Sequence, residues 1–413
     1  MDESFDINKK RPGPWDILEK ITFVIPSRNN LEFLKLSYKS IKNLEGDHEV
    51  LVLNDASTDG TQEWLDSLDD DNLHVYINDG YERVGIVGMF DKGIEMASTD
   101  IILAFHADMV AGANLDKNIL KHLKPGTVVS ATRVEPPLHP EGPEKIIENF
   151  GLESEEFSFD KWYAADLETP DRTTNGIFAP WCMYKKDYLA IGGHDELFAP
   201  QSREDSDLFN RFVLKGYNLI QSWGGIVYHF TSRGSRFNKH SGGGTGKDSP
   251  EWQETNTKNM RNFIRKWGTV VQHDEMMYPI ITPKYDIGFV VDNCDTATLK
   301  ELEPWCSDIY GDWVGHKGYG VNKYIEEEQP NTQFDLKKKI HSYHIEASND
   351  VIVEFDCTKL TPQNFQVIVN LSDILKDSGE IGEMEYDIFK ITINKLKTYE
   401  KDLIEINKIR GMV

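Results

Sequence analysis

Residues 100–112 read DIILAFHADMVAG, an apolar run from Ile101 to Phe105 that opens onto His106-Ala107-Asp108. A short uninterrupted apolar run bounded by polar residues suits a strand buried on both faces. A carboxylate at the mouth of such a strand has two readings. It is the polar end of the element, or it is a ligand for something that binds there.

The neighbouring sequence decides what kind of sheet the run belongs to. ITFVIP (21–26), HEVLVLND (48–55) and LHVYIND (73–79) are further apolar runs of the same type. Between them lie LEFLKLSYKSIKNL (31–44), TQEWLDSL (61–68) and VGMFDKGIEMA (87–97), whose apolar side chains recur at helical spacing. Repeated strand–helix units predict an α/β fold, Rossmann-like, with a mainly parallel sheet covered by helices on both faces. In such sheets ligands sit at the carboxyl ends of the strands. The residues to read are therefore Pro26-Ser27-Arg28-Asn29-Asn30, Asn54-Asp55 and His106-Ala107-Asp108.

Composition narrows the function classes. With 413 residues and 39% hydrophobic side chains the chain can bury a sizeable core, and its length predicts two domains. A formal net charge of −24 repels polyphosphate and anionic lipid at long range, which argues against indiscriminate nucleic-acid or membrane-surface binding. The exception is local: from Arg203 to Lys266 eleven cations face six carboxylates, a net +5 that reads as an anion site or as ordinary surface variation. Cys182, Cys294, Cys306 and Cys357 are scattered, with no CxxC pair, and read as reduced thiols of a cytoplasmic protein. The N-terminal MDESFDINKKRPGPW has no apolar signal core, and no run approaches the roughly 18 apolar residues of a membrane span, so no integral membrane contact is expected.

Residues 1–20 read as an N-terminal extension, 21–272 as the main domain and 280–413 as a smaller C-terminal α/β domain of unknown role. The last of these offers YDIGFVVD, then the apolar runs VIVEFD, FQVIVNL and FKITINKL, and closes on a charged amphipathic segment from Tyr399 to Ile409. Residues 133–176, rich in Pro, Gly and acidic side chains, read as a long surface excursion with a short helix. Residues 231–250 are Gly-rich and read either as a mobile lid or as a plain loop.

IPSRNN (25–30), VLNDASTDGTQEWL (52–65), GIVGMFDKGIEMASTDIILAFHAD (85–108) and PWCMYKKDYLAIGGHDELFAPQSREDSDLFNRFVLKGY (180–217) occur in that order. Together they resemble the inverting nucleotide-sugar glycosyltransferases of family 2, which have the GT-A fold. The resemblance spans roughly residues 20 to 270. A general likeness to tailed-phage proteins has no motif behind it, and would place the chain in a host cytoplasm.

The resemblance implies a metal-dependent transfer from a nucleoside diphosphate sugar to an acceptor hydroxyl. The leaving group carries about two to three negative charges, so Mn²⁺ or Mg²⁺, or cationic side chains, are expected at the pyrophosphate. Where the family has Asp-x-Asp this chain has His106-Ala107-Asp108, which aligns Asp108 with the metal ligand. His106 reads as a second ligand, a neutral hydrogen-bonding group or a packed strand-end histidine. Asp55 aligns with the carboxylate that meets the nucleobase, its alternative being to cap the helix that starts near Thr61. Pro26, Ser27, Arg28, Asn30 and Arg83 are expected to line the nucleotide pocket. His229 is a candidate metal ligand, and Arg233, Arg236 and Lys247 are candidates to close over the diphosphate.

Asp205 of the Glu204-Asp205 pair is the expected general base, and a helix start at that pair orients the carboxylate without opposing that role. Glu204 and Trp181 are expected on the acceptor side, where Trp181 and Trp223 either stack on a sugar or fill the core. The acceptor reads as a glycan or, given the local +5, as hydroxymethylated pyrimidine in DNA. A sugar-nucleotide-binding module without turnover is the other class. The oligomeric state is not legible.

Overall fold

The computed structural model describes residues 19–80, 82–167 and 169–406. The chain forms two compact units, one from residues up to 79, 92–187 and 220–234, the other from 80–91, 188–219 and 235 onward.

In chain order the first elements are β1 (Ile21–Ser27), α1 (Leu31–Lys42), β2 (Glu49–Asp55), α2 (Thr61–Asp66), β3 (Leu73–Asn78), α3 (Gly85–Met96) and β4 (Ile101–Ala104). β5 (Met109–Ala111), α4 (Leu115–Leu120), β6 (Thr127–Glu135), β7 (Lys145–Ile147), α5 (Phe159–Ala164), β8 (Thr173–Asn175), β9 (Trp181–Tyr184), α6 (Lys185–Ala190), α7 (Glu204–Lys215), β10 (Asn218–His229) and α8 (Pro250–Trp267) follow. A ten-stranded sheet has the order β3-β2-β1-β4-β9-β6-β10-β5, with β7 beside β6 and β8 beside β10. The four apolar runs of the sequence form its parallel half: β2 and β4 flank β1, and β3 adds to β2. Further along the sheet antiparallel pairs enter, β9 with β4 and β6, and β5 and β8 with β10.

Every residue of β2 and nearly every residue of β1 is buried, as apolar strands covered on both faces must be. α1 turns Leu34, Ser37, Ser40 and Ile41 inward. Ser40 Oγ accepts from the Ala111 N–H at 2.9 Å, so this helix holds β5 in place. α3 approaches the sheet so closely that a Cβ on Gly93 would lie 2.4 Å from Val24 Cγ1 and 2.7 Å from Leu53 Cδ2. Only glycine fits there.

Residues 133–176 begin inside the protein, because β6 carries Arg133 and Glu135 into the core as a charge pair 2.9 Å apart. The short helix expected in this stretch is α5. Its Trp162 is anchored by an Nε1–H bond of 3.0 Å to the Ala111 carbonyl.

The second unit contains α7, α8 and a six-stranded sheet. Its remaining elements are β11 (Ile287–Asp292), α9 (Thr296–Leu302), β12 (Asp308–Gly311), α10 (His316–Glu328), α11 (Leu336–Lys339), β13 (Ile340–Ser342), β14 (Val351–Asp356), α12 (Phe365–Val369), α13 (Leu371–Ser378), β15 (Gly382–Tyr386) and β16 (Phe389–Ile393). The order is β13-β12-β11-β14-β16-β15, parallel from β13 to β14 and antiparallel beyond. α8 carries stop signals at both ends: Ser249 caps its N-terminus, Pro250 opens it, and Gly268 ends it at φ 74°.

Two of the three later apolar runs are strands, β14 and β16. FQVIVNL is helical instead. Thr361 and Asn364 hydrogen-bond each other's backbone N–H groups at 3.2 and 2.7 Å, which starts a helical turn, and only Ile368 of α12 is fully buried. Glu400–Leu403 forms a 3₁₀ turn, and residues 407–409 of the closing segment lie outside the described residues. No helix among the described residues is long and apolar enough to cross a membrane.

The second unit buries charge in pairs. Glu303, fully buried, accepts from Arg265 at 2.6 Å and lies 2.7 Å from Lys339 Nζ. Burial alone would raise its pKa, but Lys339 and Arg265 override it and hold the carboxyl well below the usual range. Glu303→Ala takes from Lys339 its carboxylate partner and leaves Arg265 with Glu328 alone, and is expected to cost about 3–5 kcal/mol of stability, read as a lower urea midpoint.

Candidate functional site

The first unit gathers its polar residues where the parallel strands end. The loops after β1 and β2 are laced together: Asn29 N–H donates to Ser57 Oγ (3.0 Å), Asn29 Oδ1 accepts from Thr58 N–H (2.7 Å), and Asn54 Oδ1 accepts from Ser57 N–H (3.1 Å). Asn29 at φ 50° and Ala56 at φ 53° accommodate the two sharp turns. Asp59 Oδ1 accepts from the Thr61 N–H at the start of α2. Gly60 is the N-cap of α2, and Asp59, not Asp55, bonds its first N–H. Asp55 is buried at the end of β2, with one oxygen accepting from Asn78 Nδ2 at 2.7 Å. Ser27 Oγ and Asn30 Nδ2, beside Pro26 and Arg28, are buried and hydrogen-bond to no described residue. Orphaned polar atoms of this kind at a strand mouth call for a ligand or water.

After β4 the chain turns at His106-Ala107-Asp108, closed by the Met109 N–H to the His106 carbonyl at 3.1 Å. It then pairs β5 antiparallel to the end of β10, with Met109 opposite His229. The chain leaving β10 carries Thr231 at φ 71° and Ser232 at φ 59°, two successive non-glycine residues in the left-handed region. The double turn aims the Arg233 N–H at Asp108 Oδ2, 2.6 Å away. Arg233 thus reaches Asp108 through its backbone. Its guanidinium is buried and turned to the Leu152 carbonyl and to Glu153.

The result is a cluster of His106, Asp108 and His229 whose ligand-type atoms all lie within 4.8 Å of one another. Asp108 and His229 are buried and His106 is partly open. His229 is held from behind, its Nδ1 lying 2.8 Å from Glu135 Oε1. The Glu135 carboxylate accepts the Nδ1–H, and Nε2 points toward Asp108 Oδ1, 3.8 Å away. Two imidazoles and a carboxylate whose ligand atoms lie this close together are a ligand set for one cation. Two imidazoles and a carboxylate favour Mn²⁺ and its transition-metal neighbours over Mg²⁺.

Glu135 is absent from the residues that the sequence singled out. Burial would raise its pKa, but the His229 hydrogen bond, Arg133 and Lys145 hold it well below the usual carboxylate range, so it is ionised. Arg133 and Lys145 lie 2.9 and 3.1 Å from its two oxygens. The signal available in the chain was Arg133-Val134-Glu135, two opposite charges at strand spacing on one side of an apolar run.

The remaining expected residues lie mostly in the second unit. α7 begins at Glu204, with Arg203 as its N-cap at φ 72°, so Glu204 and Asp205 occupy the first helical turn. Glu204 is buried with Oε2 unpartnered, and burial together with the Asp205 charge pushes its pKa up to about 8. Arg83 pairs with Glu251 and donates to Gln201 Oε1 at 2.7 Å. Arg236 grips Asp248 at 2.5 and 3.3 Å and stacks on Trp252. Trp181 is fully buried in β9, and Trp223 donates Nε1–H to Thr174 Oγ1 at 3.0 Å beneath Arg172.

Five of the eleven cations of residues 203–266 are held by carboxylates of the protein. Arg211, Arg236, Arg261, Arg265 and Lys266 are committed to Asp207, Asp248, Glu328, Glu303 and Asp207 respectively.

Residues 22–190 match the model of the family described as Glycosyl transferase family 2. Among curated proteins, the chain is similar to the poly-beta-1,6-N-acetyl-D-glucosamine synthase of Staphylococcus aureus (strain COL), with 26% identity over 121 residues, 29% of each chain. It thus spans well under half the length of the curated relatives it matches. Two solved structures are similar to parts of it. GalNAc-T7 with UDP, GalNAc and Mn²⁺ has 12% identity, a TM-score of 0.42 and coverage of 52% of this chain and 44% of that one. The mannosyltransferase PcManGT from Pyrobaculum calidifontis, in complex with GDP-Man and Mn²⁺, has 18% identity, a TM-score of 0.36 and coverage of 52% and 60%.

The raised pKa of Glu204 has a pH signature. With an ordinary value of 4.5 and a folded value of about 8, its contribution to stability is complete below pH 4.5 and is lost as the pH rises to about 8. Glu204→Gln removes that slope. Thermal unfolding at pH 5, 6.5 and 8 is expected to show the variant gaining on the wild type at each step.

Proposed function

With residues 22–190 a glycosyl transferase family 2 domain, we propose that the chain moves a sugar from a nucleoside diphosphate sugar to an acceptor hydroxyl with inversion. The observation that carries this reading is the His106–Asp108–His229 cluster beside the unpartnered Ser27 Oγ and Asn30 Nδ2, at the carboxyl ends of a parallel sheet. We assign the transferase function to residues 21–272 and leave 280–413 without a catalytic role.

A Mn²⁺ ion held by His106, Asp108 and His229 would neutralise the diphosphate as it leaves. The residues divide the remaining tasks. Arg233 N–H fixes the Asp108 carboxylate, and Glu135 fixes the tautomer and orientation of His229. Asp55 accepts from the nucleobase, and Pro26, Ser27, Arg28 and Asn30 line the donor pocket. Asp205 takes the proton of the acceptor hydroxyl. Its neighbour Glu204 stays protonated near neutral pH and leaves that region with one negative charge instead of two.

The acceptor class favoured here is a saccharide hydroxyl. Arg211, Arg261, Arg265 and Lys266, four of the cations that a DNA acceptor would draw on, pair with carboxylates within the protein.

Calorimetric titration of UDP, GDP, CDP, ADP and dTDP with and without Mn²⁺ tests the donor site. One diphosphate is expected to bind tightly, only with metal, and Asp108→Ala is expected to abolish it. Asp205→Asn should bind the same diphosphate normally and lose at least about 10²-fold in transfer rate. Metal-independent binding, unchanged in Asp108→Ala, would overturn the reading.

The support behind His229 is tested by Mn²⁺ affinity itself, read by electron paramagnetic resonance without substrate. Glu135→Gln is expected to weaken Mn²⁺ about 10–100-fold. Glu144→Gln, which removes another partner of Arg133 but touches no imidazole, is expected to leave it unchanged.

A further inference from the structure

Five arginines of the second unit, Arg83, Arg211, Arg236, Arg261 and Arg265, each meet a carboxylate. Arg203 does not. No described residue lies within hydrogen-bond or ion-pair reach of its guanidinium, although burial is deep enough to pull its pKa below the ordinary value. Glu204 is the one carboxylate that acts on it electrostatically, and it forms no ion pair with the guanidinium, so the half-buried group keeps its N–H donors available to a ligand from solvent.

The backbone is committed to holding it there. Ser202 at φ 76° and Arg203 at φ 72° are consecutive non-glycine residues in the left-handed region. The turn is braced onto α8: Ser202 Oγ donates to Asn256 Oδ1 at 2.9 Å, and Asn259 Nδ2 donates to the Phe198 and Gln201 carbonyls at 2.6 and 2.7 Å. Strain sustained by such bracing marks positions where a side chain is being aimed.

Arg203 lines a cavity of about 220 Å³ with Met260, Phe263, Val270, Val271 and His273. Met260 and Val270 are 40% and 36% exposed, so the apolar wall is open to solvent at one side. Pockets that enclose a whole small molecule run to roughly 300–1,000 Å³, so this one suits the end of a larger molecule.

We propose that this cavity is an anion subsite, in which Arg203 grips a phosphate monoester or carboxylate while the adjoining part of the ligand packs on Met260, Phe263, Val270 and Val271. The planar guanidinium offers two parallel N–H groups to such an oxyanion, and the apolar wall strengthens the bond by excluding water. Taken together with Asp205 as the base of the proposed transfer, the subsite fits an acidic acceptor molecule. That identification rests on Asp205 being the base; the subsite itself does not.

The probe is phenyl phosphate, titrated into the full chain without metal and followed by ligand-observed NMR, with benzoate, phenol and inorganic phosphate as separate arms. Phenyl phosphate or benzoate is expected to bind at least tenfold more tightly than phenol, showing that the charge is needed. Either is also expected to exceed inorganic phosphate, showing that the wall is used. Arg203→Gln should abolish the preference, and Arg203→Lys should restore part of it. Val270→Asp, which adds a carboxylate to the exposed wall, provides a second test should Arg203→Gln fail to fold.

Equal binding of phenyl phosphate and phenol by the wild type, or undiminished binding by Arg203→Gln, overturns the subsite. The nucleoside diphosphate panel run on the same protein separates the two proposals. Diphosphate binding without phenyl phosphate binding removes only the subsite. The converse removes the glycosyltransferase reading and leaves the subsite standing.

Discussion

The candidate metal cluster depends on one short piece of antiparallel pairing. β5 is only three residues long, yet its register against β10 sets Met109 opposite His229 and lets the Phe230 N–H bond the Asp108 carbonyl at 3.0 Å. Past that point the chain spends two left-handed residues, each costing on the order of 1–3 kcal/mol, to bring the Arg233 N–H onto the Asp108 carboxylate. The cost is sustained by the aromatic cluster around it, in which Phe230 packs against Phe33, Phe157 and Tyr228. Without that anchoring the turn would relax and Asp108 would lose its fixed direction.

The same economy of charge recurs in both units, with different outcomes. In the first, the buried carboxylate of Glu135 is neutralised by Arg133 and Lys145 and is left free to orient an imidazole. In the second, Asp207 and Glu303 serve to neutralise Arg211, Lys266, Arg265 and Lys339 inside the core. A chain with 69 acidic and 45 basic residues uses much of its positive charge internally. Its segment of net +5 is therefore a poor guide to its surface, and a single unpaired arginine tells more than the sum.

Several candidate site residues are legible in the chain because they follow local rules. A carboxylate after a buried apolar run, an Asn-Asp pair after the next, and a Glu-Asp pair before a helical stretch all mark the ends of elements, where backbone geometry alone exposes side chains. Asp55, His106 and Asp108 are candidates on this ground, and Glu204 and Asp205 are candidates from the family resemblance. Arg83 and Arg236 were picked by the same logic, but a long flexible side chain goes wherever a carboxylate waits, and theirs are Glu251 and Asp248. FQVIVNL shows the limit for secondary structure: five apolar residues fit strand and helix alike, and a reciprocal Thr361–Asn364 hydrogen-bond pair decided for helix.

The sequence by itself determined the α/β alternation, the parallel half of the large sheet and the strand ends where polar residues gather, because strand and helix periods and buried apolar runs are local properties. Only the tertiary structure decided which of those residues meet. His106 and Asp108 are neighbours in the chain, but His229 joins them across more than a hundred residues through strand register, and Glu135 backs it from a strand nearly as distant in sequence. Whether a charge is a ligand, a brace or a counter-ion depends on what lies within a few ångströms of it. Residue type and spacing along the chain do not carry that information.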